Sequence, residues 1–205
     1  MKIGIIGAGM IGGTLGPLWL KAGHEVCYGT RHPERVNVPG ARSETTATAA
    51  QWSDVLFIAV PLGATESVAQ AVTPWAKDKL VMDAGNVILA REPAVAAAIA
   101  RSGTGSGVWV AQHLPGAHVV KAFNTVNFKT LQSQTGRPAD PLGIPLAGDD
   151  EQALGLAQQL VRDVGFEPVV VGVLSEARHF EVGTPVWNTG ASAAALREYF
   201  SHPRA

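Results

Sequence analysis

The chain has 205 residues, with 16 Lys+Arg against 17 Asp+Glu, six His and one Cys. That length fits one domain with a substantial core and no need of a disulfide or metal staple, and a formal net charge of −1 argues against a general binder of nucleic acid or anionic membrane. Only 16% of residues are charged and 23 are glycine, against averages of about 25% and ~7% in soluble proteins, while 46% hydrophobic content excludes disorder. The single Cys27 allows neither an internal disulfide nor a cysteine metal cluster. Apolar stretches break well short of the ~18 residues of a membrane span. The first apolar run starts at Ile3, so we expect no leader and a cytoplasmic chain.

Taken in order, residues 2–6, apolar from Ile3 onward, suit a strand buried on both faces. Residues 10–22 read as a helix stopped at Gly23. Further strands are expected at 25–28, at 54–60 (ended by Pro61), and at 79–82, 118–123, 144–147 and 166–171. Helical stretches at 64–75, 93–101, 108–114 and 151–164 fill most of the gaps. This alternation predicts an α/β fold with right-handed crossovers and a doubly wound, mostly parallel sheet covered on both faces. Composition marks 101–107 as a flexible linker and 132–142 as a mobile loop. His113 and His118 flank a Pro-Gly turn and read as surface residues. No strand is expected within 174–199, and 191–196 favours helix. The predicted organisation is therefore a sheet domain, 1–172, with a small C-terminal helical piece, 173–205.

The first strand runs into Gly7-Ala8-Gly9-Met10-Ile11-Gly12, a G-x-G-x-x-G turn that opens a helix. In that setting the pattern marks a Rossmann dinucleotide site. Gly7 permits the tight turn, Gly9 lets backbone approach a pyrophosphate, and Gly12 lets the helix pack on the strand. Met10 and Ile11 sit at the helix N-terminus, where free N–H groups favour phosphate. At the end of the second strand an NAD site places Asp or Glu for the ribose hydroxyls. Here Gly29-Thr30-Arg31-His32 stands in that place. Arg31 suits the 2′-phosphate of NADP, with Thr30 and Arg35 as further contacts. Ligands in such sheets lie beyond the carboxyl ends of the strands. Val60 and Pro61, Asn86, and Ala122-Phe123-Asn124-Thr125 follow later strands and are expected to line the same cleft. Asn86 and Asn124 are suited to orienting an amide or a ring edge.

No nucleophile elbow, zinc-protease helix or spaced metal-ligand set is present, so no metal site and no catalytic acid–base residue is assigned. Hydride exchange between a nicotinamide and a flavin-like ring needs no such residue, only two ring faces held close in a dry cleft. The combination of GAGMIG, Gly29-Thr30-Arg31 and Val120-Lys121-Ala122-Phe123-Asn124-Thr125 resembles the NADPH-dependent coenzyme F420 reductases (F420H2:NADP oxidoreductases) over nearly the whole chain. The VKAFNT string also occurs in the related reductase domains of membrane ferric reductases. Gly148-Asp149-Asp150, Leu174-Ser175-Glu176-Ala177-Arg178 and Thr184-Pro185 belong to the same resemblance. It implies NADP(H) as cofactor, coenzyme F420 or a flavin as co-substrate, and a homodimer. It also implies a C-terminal piece that closes over the cleft, with Ser175, Arg178 and Thr184 touching the second ring system. Two other readings stay open. One is a small-imine reductase of the pyrroline-5-carboxylate reductase type; the other is an NADP(H)-binding sensor or partner-binding module without turnover.

Overall fold

The opening apolar run forms β1 (Lys2–Ile6), whose last four residues are buried, as a central parallel strand requires. The computed structural model describes residues 1–202. Seven more strands follow: β2 (Glu25–Gly29), β3 (Arg42–Glu44), β4 (Val55–Ile58), β5 (Leu80–Asp83), β6 (His118–Lys121), β7 (Gly143–Gly148) and β8 (Glu167–Gly172). Among the described residues they make one sheet of order β3-β2-β1-β4-β5-β6-β7-β8. All neighbours pair parallel except β6 with β7. The chain winds outward from β1 in one direction and from β4 in the other. That reversal opens a crevice at the carboxyl ends of β1 and β4, the topological switch point where ligands bind in such sheets.

The helices are α1 (Met10–Lys21), α2 (Thr46–Trp52), α3 (Thr65–Ala76), α4 (Pro93–Ser102), α5 (Gly105–His113), α6 (Phe128–Gln134), α7 (Glu151–Asp163) and α8 (Ala193–Ser201). Alternate residues of the buried strands feed two cores. Ile5 and Tyr28 pack with Leu15 and Trp19 of α1, Leu131 of α6 and Leu160 of α7. Ile6 and Cys27 pack on the other face with Ala49 of α2, Val72 of α3, Ile99 of α4 and Val110 of α5. The Trp19 indole N–H donates to the Leu160 carbonyl at 3.0 Å, tying α1 to α7.

Several segments differ from the sequence-based expectation. β3 and α2 fill the stretch between the second and third expected strands. Residues 101–107 are not a flexible linker. Gly103 turns in the left-handed region at φ +66° as the C-cap of α4, α5 starts at Gly105, and Ser106 is fully buried. The expected mobile loop at 132–142 begins inside α6 and ends at the fully buried Leu142. β6 stops at Lys121 because Phe123 adopts φ +61° and turns the chain away. His118 lies at the surface as expected, its side chain 40% exposed, whereas His113 is half-buried with its ring 2.8 Å from the Trp109 carbonyl. The C-terminal piece holds a 3-10 run, Leu174–Phe180, and α8, capped by Ser192, whose hydroxyl accepts from the Ala195 N–H. Ala177, Phe180, Ala193 and Leu196 pack on Ala147 of β7 and Val169 of β8. The last three residues of that expected piece lie outside the described residues.

Candidate nucleotide and acceptor cleft

The switch point holds a cavity of about 710 Å³ at the ends of β1, β2 and β4, lined by Gly7, Gly9, Thr30, Arg31, Arg35, Val60 and Pro61 among others. Gly7 sits at φ +107°, and a Cβ there would lie 2.6 Å from the Ala59 carbonyl oxygen, so the turn requires glycine. Gly12 is needed for packing, because a Cβ would fall 2.9 Å from Ile5 Cγ2 and closer still to the Gly7 carbonyl oxygen. Gly9 differs from both. Its backbone, φ −77° and ψ −161°, is open to any residue, and a Cβ would meet nothing within 4 Å. It is the N-cap of α1, makes no side-chain cap, and leads into a first turn without acidic residues. An uncapped, positively polarised helix start beside empty space is a cradle for a pyrophosphate.

None of the described residues lining this cavity is acidic, whereas Arg31, His32 and Arg35 all line it. Arg35 is 74% exposed at its side chain and is paired only loosely, 3.7 Å from Glu34. The site thus presents cations and the Thr30 hydroxyl where an NAD site presents a carboxylate. His32, Ser67 and Val68 also line it and were not identified from the sequence; His32 adjoins Arg31, but Ser67 and Val68 arrive on α3 without a local signal. Beneath the site, burial pushes the Tyr28 phenol up to about 12 and, together with Glu44, the Cys27 thiol up to about 11. The Tyr28 hydroxyl donates to the Gly12 carbonyl at 3.2 Å, bracing the start of α1 against β2.

A second cavity of about 270 Å³ is lined by Met10, Ile11, Asn86, Asn124, Thr125, Asn127, Trp187 and Asn188, among others. Many of the expected site residues therefore divide between two cavities, Gly9 lining one and its neighbours Met10 and Ile11 the other. The Asn86 amide N–H donates to the Asn124 carbonyl at 2.8 Å, and the Asn124 amide N–H donates to the Phe180 carbonyl at 3.0 Å. Asn124 is buried, and its Oδ1 has no hydrogen-bond partner among the described residues. An unpartnered acceptor on a residue that lines the cavity fits an amide N–H, such as the carboxamide of a nicotinamide, once a small side-chain turn exposes it. Trp187 and Asn188, absent from the sequence-based set, are brought in by the backbone N–H of Asn188, which donates to the Thr125 carbonyl at 2.7 Å.

Other expected residues lie elsewhere. Ala122 and Phe123 are buried beneath the cavities; the Phe123 ring meets Trp19, Phe57 and Phe166 edge-on at 5.9–6.2 Å between centroids. Their part is to turn the chain so that Asn124 and Thr125 face the cavity. Ser175, Arg178 and Thr184 line neither cavity. Arg178 is 3.8 Å from Glu176, and the Thr184 hydroxyl donates to the Glu181 carbonyl.

One cluster escaped the sequence analysis. Lys121, the cation inside the VKAFNT string, is fully buried and pairs with the buried Asp83 at 2.6 Å. Its ammonium also donates to the Gly85 carbonyl at 2.6 Å and the Ser106 hydroxyl at 2.8 Å. A lysine in a strand expected to be buried was the available signal, because a buried charge needs a partner.

The fold and the glycine turn define a Rossmann-type dinucleotide-binding protein. Residues 2–87 match the family described as NADP oxidoreductase, coenzyme F420-dependent. The chain is similar to the metalloreductase STEAP3 of Rattus norvegicus, at 27% identity over 183 residues. That match covers 88% of this chain but only 36% of STEAP3, so the chain spans little more than a third of that relative. Among solved structures it resembles a hypothetical protein, SMa0349, from Sinorhizobium meliloti, with TM-score 0.77, 26% identity, and 91% of this chain and 93% of that one covered. A candidate F420-dependent NADP reductase from Arthrobacter sp. FB24 shares the fold, with TM-score 0.73, 21% identity, and 92% and 97% covered.

Proposed function

We propose that this NADP-dependent oxidoreductase passes a hydride between NADPH and a planar heterocyclic acceptor, a deazaflavin or flavin-like ring. The observation that carries the reading is the pairing of two cavities across the Gly9 turn: one with cations and no acid, the other rimmed with amides. In this reading Gly9 and the start of α1 hold the pyrophosphate, and Arg31, Thr30 and Arg35 hold the 2′-phosphate. Val60 and Pro61 wall the nucleotide cavity, and Asn124 orients the carboxamide. NADPH, when bound, supplies the hydride, so the chain needs no acid–base side chain of its own. Its residues bind, orient and exclude water. Trp187 and Asn188 are proposed to face the acceptor, carried on the turn that begins at Thr184. The name of the rat relative, a metalloreductase, adds metal chelates, ferric ones among them, to the acceptors worth testing.

The test is a titration with NADPH and NADH followed by turnover with F420, FMN, FAD and ferric chelates, read as loss of NADPH absorbance. NADPH is expected to bind at least tenfold more tightly than NADH, with oxidation by the deazaflavin. Equal binding of both nucleotides would refute the cofactor assignment. Tight NADPH binding without turnover on any acceptor would replace the enzyme with a nucleotide-binding module.

A further inference from the structure

We propose that Lys121 is a positioning residue for the cleft, holding the two asparagine turns at a set separation and fastening both to the C-terminal segment; this rests on the nucleotide reading above. Asp83 and Lys121 are the last residues of neighbouring parallel strands and stand in register, so their side chains leave the same face. The turns that follow them carry Asn86 and Asn124. The first turn is clamped at Gly85 from two sides: its N–H donates to Asp83 Oδ1 at 2.9 Å, and its carbonyl accepts from Lys121. A Cβ at Gly85 would lie 2.6 Å from Leu62 Cδ2 and 2.9 Å from Asp83 Oδ1, so the turn is packed as tightly as it is bonded.

The network then leaves the sheet. Ser106 accepts from Lys121 and donates its hydroxyl hydrogen to Glu181 Oε1 at 2.6 Å, while its backbone N–H donates to the same oxygen at 2.7 Å. Glu181 thereby caps α5, which has no side-chain cap of its own. One residue earlier, the Phe180 carbonyl receives the Asn124 amide. Residues 84–86, 122–125 and 180–181 are three separate pieces of chain; the side-chain amides of Asn86 and Asn124 join them directly, and a second path runs from Gly85 through the Lys121 ammonium and Ser106 to Glu181. A buried ion pair is a poor source of net stability compared with apolar packing, but it is directional. Here the direction it fixes is that of Asn86 and Asn124, which line the smaller cavity.

Ser106→Ala and Glu181→Ala cut the network while leaving the Lys121–Asp83 pair intact, and Glu181→Gln keeps an oxygen to accept both Ser106 donors. Three measurements apply: NADPH affinity, the gain in nicotinamide emission on binding, and backbone hydrogen exchange of the ligand-free protein. Ser106→Ala and Glu181→Ala are expected to keep NADPH affinity within twofold, because the 2′-phosphate contacts lie in the other cavity. They should lose at least half of the emission gain and exchange faster at 84–86 and 122–125. Glu181→Gln should stay close to wild type in all three. Unchanged emission and exchange in both alanine variants would overturn the role, as would a glutamine variant as impaired as the alanine one. Wild-type protein that fails to bind NADPH would strike the nucleotide reading, while the exchange data would still judge whether the network holds the turns.

Discussion

The three glycines of the GAGMIG turn can be separated by one methyl group each. At Gly9 the backbone is compatible with alanine, and the added Cβ would meet no atom within 4 Å. Two opposing terms act on stability. Alanine is a poorer N-cap than glycine, but it also lowers the entropy of the unfolded chain, stabilising by about 0.4–1 kcal/mol. Gly9→Ala should therefore fold with a stability within about 1 kcal/mol of wild type. The methyl enters the space beside the α1 N-terminus, and NADPH affinity should drop at least tenfold, about 1.4 kcal/mol. Gly12→Ala is the counterpart. Its Cβ would collide with the Gly7 carbonyl oxygen and lie 2.9 Å from Ile5 Cγ2, one a backbone atom and the other a core side chain. Overpacking of this kind costs about 1–3 kcal/mol or more, and it must lift α1 from β1. Urea unfolding and fluorescence titration with NADPH resolve the two effects. Wild-type NADPH affinity in Gly9→Ala would refute the placing of the pyrophosphate. A wild-type urea midpoint in Gly12→Ala would refute the steric account of the helix–strand contact.

Three other outcomes are expected. Arg31→Asp should move nucleotide preference from NADPH toward NADH, since it reverses the charge at the acid-free cavity; an unchanged ratio of the two dissociation constants would show that Arg31 does not read the 2′-phosphate. Lys121→Met leaves the buried Asp83 carboxylate unpaired and should cost about 3–5 kcal/mol in urea unfolding, with part recovered in the double variant with Asp83→Asn; full wild-type stability in Lys121→Met would count against the buried pair. The third concerns alkaline pH. Cys27 and Tyr28 have folded values of about 11 and 12 against 9.0 and 10.0 in the open chain, so both stay neutral longer when folded. Their contribution to stability is intact below pH 9 and is lost as pH rises through 11 to 12. A Cys27→Ala, Tyr28→Phe variant should flatten that alkaline slope, and an identical slope would rule these two groups out as its source.

The amino-acid order was enough for the layered α/β plan, the Rossmann turn and the cation at the end of β2. These features are written locally. A buried parallel strand is a short apolar run, a crossover helix has its own periodicity and stop, and the glycine turn is six consecutive residues. The order was also enough to bring Asn86 and Asn124 forward, because both directly follow strands on the ligand-binding edge. Short elements were not legible: β3 has three residues and polar side chains, and α2 and α6 have seven each, too few for a periodic pattern. Their existence is decided by what they pack on, such as Leu131 of α6 beneath α1.

Only the tertiary structure divided the expected residues between two cavities and sent Phe123 into the aromatic core. It also brought Trp187 and Asn188 to Thr125 across more than sixty positions of chain. The network from Asp83 through Lys121 and Ser106 to Glu181 is the clearest case. Asp83, Ser106 and Glu181 are by themselves common polar residues, and Lys121 stands out only as a charge within a buried strand. Burial removes water from the ammonium, so its charge must be met by whatever the fold brings within hydrogen-bond reach. Which groups those are depends on the register of β5 with β6 and on the packing of α5 against the C-terminal segment, distances that no local pattern encodes.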